Sequence, residues 1–499
     1  MVSKPALKKH LLLMLSGCLV PLGFAPFNTW IVTLLCLTFL YQQITTHKSE
    51  KILSLVFAFN LGTFLTGTSW IFISINKYGF VPAPFALLAT FLFCLLLTCL
   101  NSIPFAIWGQ ISRSRGFRVL VFSSLWVLGE WLRSWFLTGF PWLLIGYSQS
   151  SNWLSGWAKI GGIFWVSFIS ALIAGCIWEI YRARLKPKEV ILISALILFL
   201  AVTGLNLSQV NWTKPSKDIL SVALIQPNID QLQKWSLGSQ SRILDQLSEQ
   251  SSKYWDHNLL IWPEAAIPII PQNTPLFLSK MDRLAKETST VLITGIPTYD
   301  ATTSSYYNSA LSLGEITGQY NKTKLVPFGE YVPLETLLRG LIRFFDLPMS
   351  NFSHGKKDQD PLIAHGHKIA SAICYEVVYP DLVAKNSKGA SIILTMSNDS
   401  WFGNSLALPQ HLQMAQMRAI ELSKPILRAT NNGLTAIIDH KGRITHELDP
   451  FTSTELSGVI QPMTGQTPFS KFGSIPCIAF CSIVVVFLTC LRLREKFIR

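Results

Sequence analysis

The chain has 499 residues, of which 49% are hydrophobic and only 14% charged, with a net charge of +14. That balance is too apolar for a wholly soluble protein, so part of the chain belongs in lipid. The positive charge sits mainly on short connections between apolar runs, which excludes nucleic acid as its partner.

A helix needs about 20 apolar residues to cross the hydrocarbon core of a bilayer. Runs near 11–29, 30–43, 52–74, 84–110, 119–147, 157–180, 189–208 and 473–491 predict eight such spans. Near the start, Leu15-Ser16-Gly17-Cys18 resembles a lipoprotein signal box. The apolar stretch before it is only Leu11 to Leu15, shorter than the roughly 7 to 15 residues of a signal core, so an uncleaved first span is expected. Within the fifth run stand Glu130 and Arg133, each costing about 2.5 to 3.5 kcal/mol to insert. Three residues apart on a helix, they either pair structurally or line a lipid-facing portal.

With the N-terminus cytoplasmic, the inner loops hold Lys4, Lys8 and Lys9, then Lys48 and Lys51, then Arg113, Arg115 and Arg118, then Arg182, Arg184, Lys186 and Lys188. The tail adds Arg492, Arg494, Lys496 and Arg499, while the short outer loops carry almost no basic residue apart from Lys77. This bias puts the hydrophilic block on the far side of the membrane from the cytoplasm. Three parts follow: 1–210 with about seven transmembrane helices, 211–470 as an outer hydrophilic domain, and 471–499 as a last helix with a basic tail.

From residue 219 the pattern changes. ILSVALIQPNI, LLIWPEAAIP, STVLITGIP, YYNSALSL, KIASAICYE, ASIILTMSND and ILRATNNGLTAII read as strands bounded by Pro, Asn or Gly. SRILDQLSEQSSKYW, PLFLSKMDRLAKET, VVYPDLVAKN and PQHLQMAQMRAIEL have helical spacing. Alternation of this kind predicts an α/β domain of layered sheets with helices outside. Between the strands, LLRGLIRFFDLPMSNF is rich in Leu, Ile and Phe for a connection. It reads either as a helix packed on the domain or as a mobile lid that dips into the bilayer interface.

Functional side chains in such folds stand at strand C-termini. Glu264 follows LLIWP, Cys374 sits where a strand gives way to a helical stretch, and Lys322 precedes the turn marked by Pro327 and Gly329. Cys374 is the only cysteine between residues 177 and 476. A lone buried thiol is often structural, but a thiol beside a base and a cation becomes a nucleophile. Glu264 would serve as that base if an apolar pocket of Trp262, Pro263 and Ile267 raised its pKa. Lys322 would stabilise the thiolate and the tetrahedral oxyanion, aided by backbone N–H groups after Cys374.

WPEAAIP, YNKTKLVPFGEYVP, ICYE and SNDSWFG together resemble the Glu-Lys-Cys signature of the nitrilase superfamily. GTSWIFISINKYG, EWLRSWFLTGFPWLLIGYSQ, QPNIDQLQKW, PQHLQMAQMRAIE and RATNNGLTA extend the likeness over nearly the whole chain to the apolipoprotein N-acyltransferase family. The resemblance implies a nitrilase-like α-β-β-α sandwich facing the periplasm, on a polytopic bundle of about eight helices in a bacterial inner membrane, with both termini cytoplasmic. It puts the general base on Glu264, the lysine on Lys322 and the nucleophile on Cys374. It puts a second acidic residue on Glu330, to orient the lysine or the acyl group. Trp235, Tyr375, Glu376 and Arg428 match positions near the pocket, and Asn308 is a further candidate. The family usually has histidine two places after the lysine, where this chain has Lys324. On a strand both lysines would share a face; the position after Tyr320-Asn321 favours Lys322. His411 has no acidic partner in an obvious motif and reads as a structural polar residue at a helix start.

The implied reaction moves an acyl chain from a phospholipid through a thioester on Cys374 to the N-terminal amine of a diacylated apolipoprotein, at the surface of a lipid bilayer. Two rivals differ in class: a membrane-tethered amidase of nitrilase type, and a transporter or scaffold with a retired enzyme domain. No metal cluster or nucleotide loop stands out, so no cofactor is expected.

Overall fold

The computed structural model describes residues 4–46, 51–111, 115–182, 186–327, 329–331 and 351–498. It divides into two compact units, one of 1–72, 82–210 and 471–499, the other of 73–81 and 211–470. Nearly all of the segment LLRGLIRFFDLPMSNF lies outside the described residues.

The first unit is helical: α1 (Lys4–Leu19), α2 (Trp30–Thr46), α3 (Ile52–Gly67), α4 (Ala83–Ser102), α5 (Arg115–Trp135), α6 (Ala158–Arg182), α7 (Pro187–Gln209) and, at the far end of the chain, α12 (Ile475–Ile498). Seven of them overlie the expected runs, whereas α1 covers only the first half of 11–29, because it gives way at Leu19 to a tight turn that holds Pro21, and not all eight meet the requirements of a span. Among the described residues four helices are long and apolar enough to cross a membrane, and a fifth counts if Ile52–Gly67 and Ile71–Tyr78, bent by 54°, form one span. The shortfall has a physical origin, since α1 and α2 have only 16 and 17 residues, and α5 carries Arg118, Glu130 and Arg133. Helix α5 also ends at Trp135 rather than near 147, because Leu137, Thr138 and Gly139 take positive φ of 51°, 87° and 88°.

Glu130 and Arg133 account for the loop that follows. Glu130 Oε1 accepts from Ile145 N at 2.7 Å and from Trp126 Nε1 at 3.0 Å. Arg133 donates to Phe140 O at 2.8 Å and Trp142 O at 2.5 Å. Each charge is 1% exposed and is spent on irregular backbone that lipid could not hydrogen-bond. Helices α1 and α3 touch through glycines: a Cβ on Gly17 would lie 2.0 Å from Phe59 O, and one on Gly62 2.0 Å from Met14 O. Small residues permit such close backbone contact between membrane helices.

The second unit contains two six-stranded sheets. The first is built from β1 (Leu220–Gln226), β2 (Leu259–Ile261), β3 (Val291–Asp300), β4 (Ser305–Leu313), β5 (Gly318–Asn321) and β12 (Thr454–Ile460), in the order β12-β1-β2-β3-β4-β5. The second is built from β6 (Leu362–Ala364), β7 (His367–Ile373), β8 (Ile392–Ser397), β9 (Ile426–Thr430), β10 (Ala436–Ile438) and β11 (Ile444–Glu447), in the order β11-β10-β9-β8-β7-β6. Three central strands of each sheet are parallel, β1-β2-β3 and β7-β8-β9. Parallel strands are buried on both faces, and residues 222–227 and 392–400 are accordingly continuous buried runs.

The inner faces of the sheets share one core, in which Val222, Leu224, Ile261 and Ile293 meet Ile369, Ile373, Leu394 and Leu427. Outside the first sheet, α8 (Gln240–Ser251) and α9 (Pro275–Glu287) supply Ile243, Leu247 and Met281 to a second core with Ile225, Trp262 and Ile267. Two further helices, α10 (Pro380–Asn386) and α11 (Ala407–Leu422), belong to the half that carries the second sheet. Residues 73–81 group with this unit because Ser74 Oγ donates to Trp401 O at 2.7 Å and the Tyr78 and Trp401 rings lie 5.6 Å apart.

Candidate active site

Two sheets with parallel centres bring the C-terminal ends of several strands to a common edge. Glu264 follows β2, Lys322 immediately follows β5, Cys374 immediately follows β7, and Asn398 immediately follows β8. The turn at Glu264 is tight, with Ala265 at φ 46°. A Cβ on Gly295 of β3 would come within 2.7 Å of Glu264 Cα, so the neighbouring strand must carry glycine there. Cys374 itself has φ 52°, a strained corner for a residue with a Cβ.

Lys322 joins the acidic residues. Its Nζ lies 3.2 Å from Glu264 Oε1 and 2.9 Å from Glu330 Oε1, and the lysine is 1% exposed. Burial works to lower the ammonium pKa, but the two carboxylates outweigh it and hold it well above its usual range. Asn308 of β4 bridges the same atoms, its Nδ2 donating to Glu264 Oε1 at 2.8 Å and to Glu330 Oε1 at 2.9 Å. The backbone carbonyl of Asn308 accepts from Lys322 N at 2.8 Å. The second oxygens are held by backbone, Glu264 Oε2 by Asn398 N and Glu330 Oε2 by Val326 N, each at 2.8 Å.

Cys374 is 9% exposed. Burial first and the Glu264 charge second push its thiol well above its ordinary value, against the opposing pull of Lys322. The resting group is therefore a neutral thiol beside a carboxylate and an ammonium, an arrangement that calls for proton removal during attack rather than a preformed thiolate.

The surroundings differ from the expected ones in three respects. Glu264 does not sit in an apolar pocket of Trp262, Pro263 and Ile267, because Trp262 and Ile267 belong to the core on the helix side of the sheet while the carboxylate meets three donors. Lys324 does not share the face of Lys322, since the strand ends at Asn321 and Lys324 Nζ lies over the Tyr379 ring at 5.1 Å. His411 does have an acidic partner, in that its Nδ1 lies 3.2 Å from Asp399 Oδ1 and Arg428 donates to Asp399 Oδ2 at 2.7 Å. Asp399 lies in the SNDSWFG run, twelve residues from His411, a distance at which no local spacing signals a pair. Burial would raise the Asp399 carboxyl, but Arg428 and then His411 hold it well below the usual range. Burial and Arg428 hold the His411 imidazole below its ordinary value, and His411 also bonds the backbone of Cys374.

The remaining candidates fall around this centre. Glu376 Oε1 accepts from Thr323 N at 2.7 Å, Thr323 Oγ1 at 2.7 Å, Lys324 N at 3.1 Å and Tyr320 OH at 3.0 Å, and its Oε2 accepts from Ile373 N at 2.7 Å. It ties the lysine segment to the cysteine corner from behind. Arg428 likewise acts on Asp399, and Tyr375 packs edge-on to Tyr379 at 5.4 Å. Trp235 is half-buried at the end of a turn, and its Nε1 has no partner among the described residues.

Sequence reasoning missed Lys234 and Asn398. Lys234 is fully buried, donates to Glu264 O at 3.2 Å, and is lowered by burial to about 8 despite Glu264. Its signal was weak, a lysine beside the Trp235 already singled out. Asn398 closes a strand, as Glu264, Lys322 and Cys374 do.

Parts of the chain match two described families. Residues 16–176 match the family described as apolipoprotein N-acyltransferase N-terminal domain, and residues 221–469 that described as carbon-nitrogen hydrolase. The apolipoprotein N-acyltransferase of Azotobacter vinelandii is 41% identical over 506 residues, covering 99% of this chain and 97% of its own. That of Coxiella burnetii is 35% identical over 480 residues, covering 96% and 98%. Among solved structures, Saccharomyces cerevisiae Nit3, a member of the nitrilase superfamily, aligns with 50% of this chain and 93% of its own at 18% identity and a TM-score of 0.38.

Proposed function

The chain belongs to the apolipoprotein N-acyltransferase family, and from that premise we propose that Cys374, Glu264 and Lys322 carry the acyl transfer, with a phospholipid as donor and a diacylated apolipoprotein as acceptor. The observation that carries the reading is the buried Lys322 ammonium held between Glu264 and Glu330, electrostatically coupled to the one thiol of the domain.

In the first half, Cys374 Sγ attacks an ester carbonyl of the donor while Glu264 takes the thiol proton. Lys322 faces the negative charge that develops on the carbonyl oxygen. Collapse breaks the ester C–O bond, the lysophospholipid oxygen takes the proton from Glu264, and a thioester remains on Cys374. In the second half, the apolipoprotein's N-terminal amine attacks the thioester, a C–N bond forms, the C–S bond breaks, and the amine proton returns through Glu264 to the sulfur. Glu330 and Asn308 position Lys322, and Glu376 fixes the corner on which Cys374 turns.

The same reading makes 211–470 the catalytic domain, facing the periplasm from a bacterial inner membrane with both chain termini cytoplasmic. The loop charges support that orientation through the positive-inside bias. An amidase acting on a soluble C–N substrate would have no use for the matched N-terminal domain, which favours acyl transfer between membrane-anchored partners.

Incubation of the full chain in phospholipid micelles without acceptor tests the proposal. Intact-mass spectrometry should show one acyl group on Cys374, absent in Cys374→Ala and strongly reduced in Glu264→Gln. An active enzyme that never carries the adduct contradicts it.

A further inference from the structure

Lys77 is the basic residue that stands apart on the outer loops, and the chemistry at Cys374 makes no use of it. It lines a cleft of about 390 Å³ together with Tyr78, Asp230, Gln231, Ser400 and Asn432. The three reacting groups are not on the wall of this cleft, yet one residue separates it from the base. Gln231 Oε1 accepts from Asn398 Nδ2 at 2.5 Å, and Ser400 Oγ donates to Asn398 Oδ1 at 2.9 Å. The backbone N–H of the same Asn398 donates to Glu264 Oε2 at 2.8 Å.

One buried acceptor on the wall is unsatisfied, and one cation there is unpaired with any carboxylate among the described residues. Asn432 is 7% exposed, and its Oδ1 has no hydrogen-bond partner among the described residues, although buried acceptors are nearly always paired. Lys77 is exposed, lies 5.2 Å from the Tyr78 ring, and is paired with no carboxylate among the described residues. Asp230 Oδ1 on the same wall already accepts from Leu232 N and Gln233 N, so the cleft offers the Lys77 cation and the Asn432 acceptor, and a fitting ligand carries an anion near Lys77 and a hydrogen-bond donor near Asn432.

We propose that this cleft holds the polar head of the donor glycerophospholipid, its phosphodiester on Lys77 and a hydroxyl or ammonium of the head group on Asn432. The inference rests on the reading of Cys374 as the acyl carrier. Chain connectivity favours a lipid head. Lys77 closes the bent pair Ile52–Gly67 and Ile71–Tyr78, shortly before the span that starts at Ala83, and Phe80 between them is 64% exposed. A cation and an aromatic at the end of a span sit at the level of lipid phosphates. The acceptor's own head is a thioether-linked glycerol beside an ammonium, with no phosphate, and Lys77 would repel it.

The test compares two donors on the full chain in detergent: phosphatidylglycerol, and p-nitrophenyl dodecanoate, which has no phosphate head. Lys77→Glu should raise KM for phosphatidylglycerol roughly tenfold and Asn432→Ala roughly fivefold, while acylation by the nitrophenyl ester stays within about twofold of wild type. Equal slowing of both donors, or an unchanged KM for phosphatidylglycerol, overturns the assignment. A raised KM for a diacylated lipopeptide with the donor unaffected gives the cleft to the acceptor and overturns it too. Wild type that accepts dodecanoate but nothing from phospholipid ends the donor reading itself, and is recognised by its independence of both substitutions.

Discussion

Glu330 Oε1 accepts from Lys322 Nζ at 2.9 Å while its Oε2 accepts from Val326 N at 2.8 Å, so both oxygens of one carboxylate face donors. Glutamine satisfies only one of these two sides, because whichever way the amide turns, its N–H₂ meets a donor. Glu330→Gln should lower the rate of Cys374 acylation roughly ten- to hundredfold, by letting the ammonium drift. Glu330→Asp should recover less than wild-type activity, because the shorter side chain cannot span the same two contacts. Single-turnover acylation measures both, and a Glu330→Gln rate equal to wild type removes Glu330 from the machinery.

The two lysines separate cleanly. Lys322→Met removes the cation held between Glu264 and Glu330 and should abolish transfer. Lys324→Met loses a contact with the Tyr379 ring, worth about 0.5 to 1 kcal/mol, and should retain activity within about fivefold. The reverse pattern in a lipopeptide acylation assay exchanges their roles.

Cys374 carries a thiol whose pKa is raised by burial and by Glu264, so its reactivity should depend on a base. Alkylation by iodoacetamide in Glu264→Gln should climb about tenfold per pH unit from neutral to pH 9, the signature of a thiolate formed by bulk titration. In wild type the dependence should be much shallower because the carboxylate accepts the proton. Parallel profiles in the two proteins show that Glu264 is not the base.

His411 supplies a stability prediction. Burial and Arg428 hold its folded pKa below the ordinary 6.5, so between these two values the unfolded chain binds a proton that the folded one does not. Stability therefore falls as pH drops below about 6.5. Asp399, whose folded pKa is depressed, adds its own loss only lower, as pH falls from about 3.9 toward its folded value. Thermal unfolding of the unit that contains 211–470, followed between pH 7.5 and 5, should show the first loss in wild type and a flatter curve in His411→Gln. Equal slopes separate the acid response from this histidine.

Glu376 is a structural clasp whose removal should be felt as stability before chemistry. Its carboxylate serves donors from Tyr320, Thr323, Lys324 and Ile373, and Glu376→Gln leaves at least one of them facing an N–H₂ group. The expected cost is about 3 kcal/mol, read as faster thermal inactivation with both the lysine segment and the Cys374 corner loosened. Unchanged thermal inactivation denies the clasp its role.

Much of this protein was legible without coordinates, for local reasons. Apolar runs mark helices, four of them among the described residues long and apolar enough to cross a bilayer, and β-rich runs ending in Pro, Asn or Gly mark strands whose ends bear Glu264, Lys322 and Cys374. These depend on neighbours in the chain, so a linear reading reaches them. Length and composition were a poorer guide where charge entered a span: α5 stops at Trp135, where Leu137, Thr138 and Gly139 take positive φ, and Glu130 and Arg133 hydrogen-bond the loop beyond it. What only the tertiary structure decided are the meetings across the chain: Lys322 with Glu264 58 residues away, Asn398 with Glu264 134 residues away, and Asp399 with His411 and Arg428. Sheet order and register set those meetings, and because each partner is chosen by packing over a whole domain, no spacing along the chain encodes it.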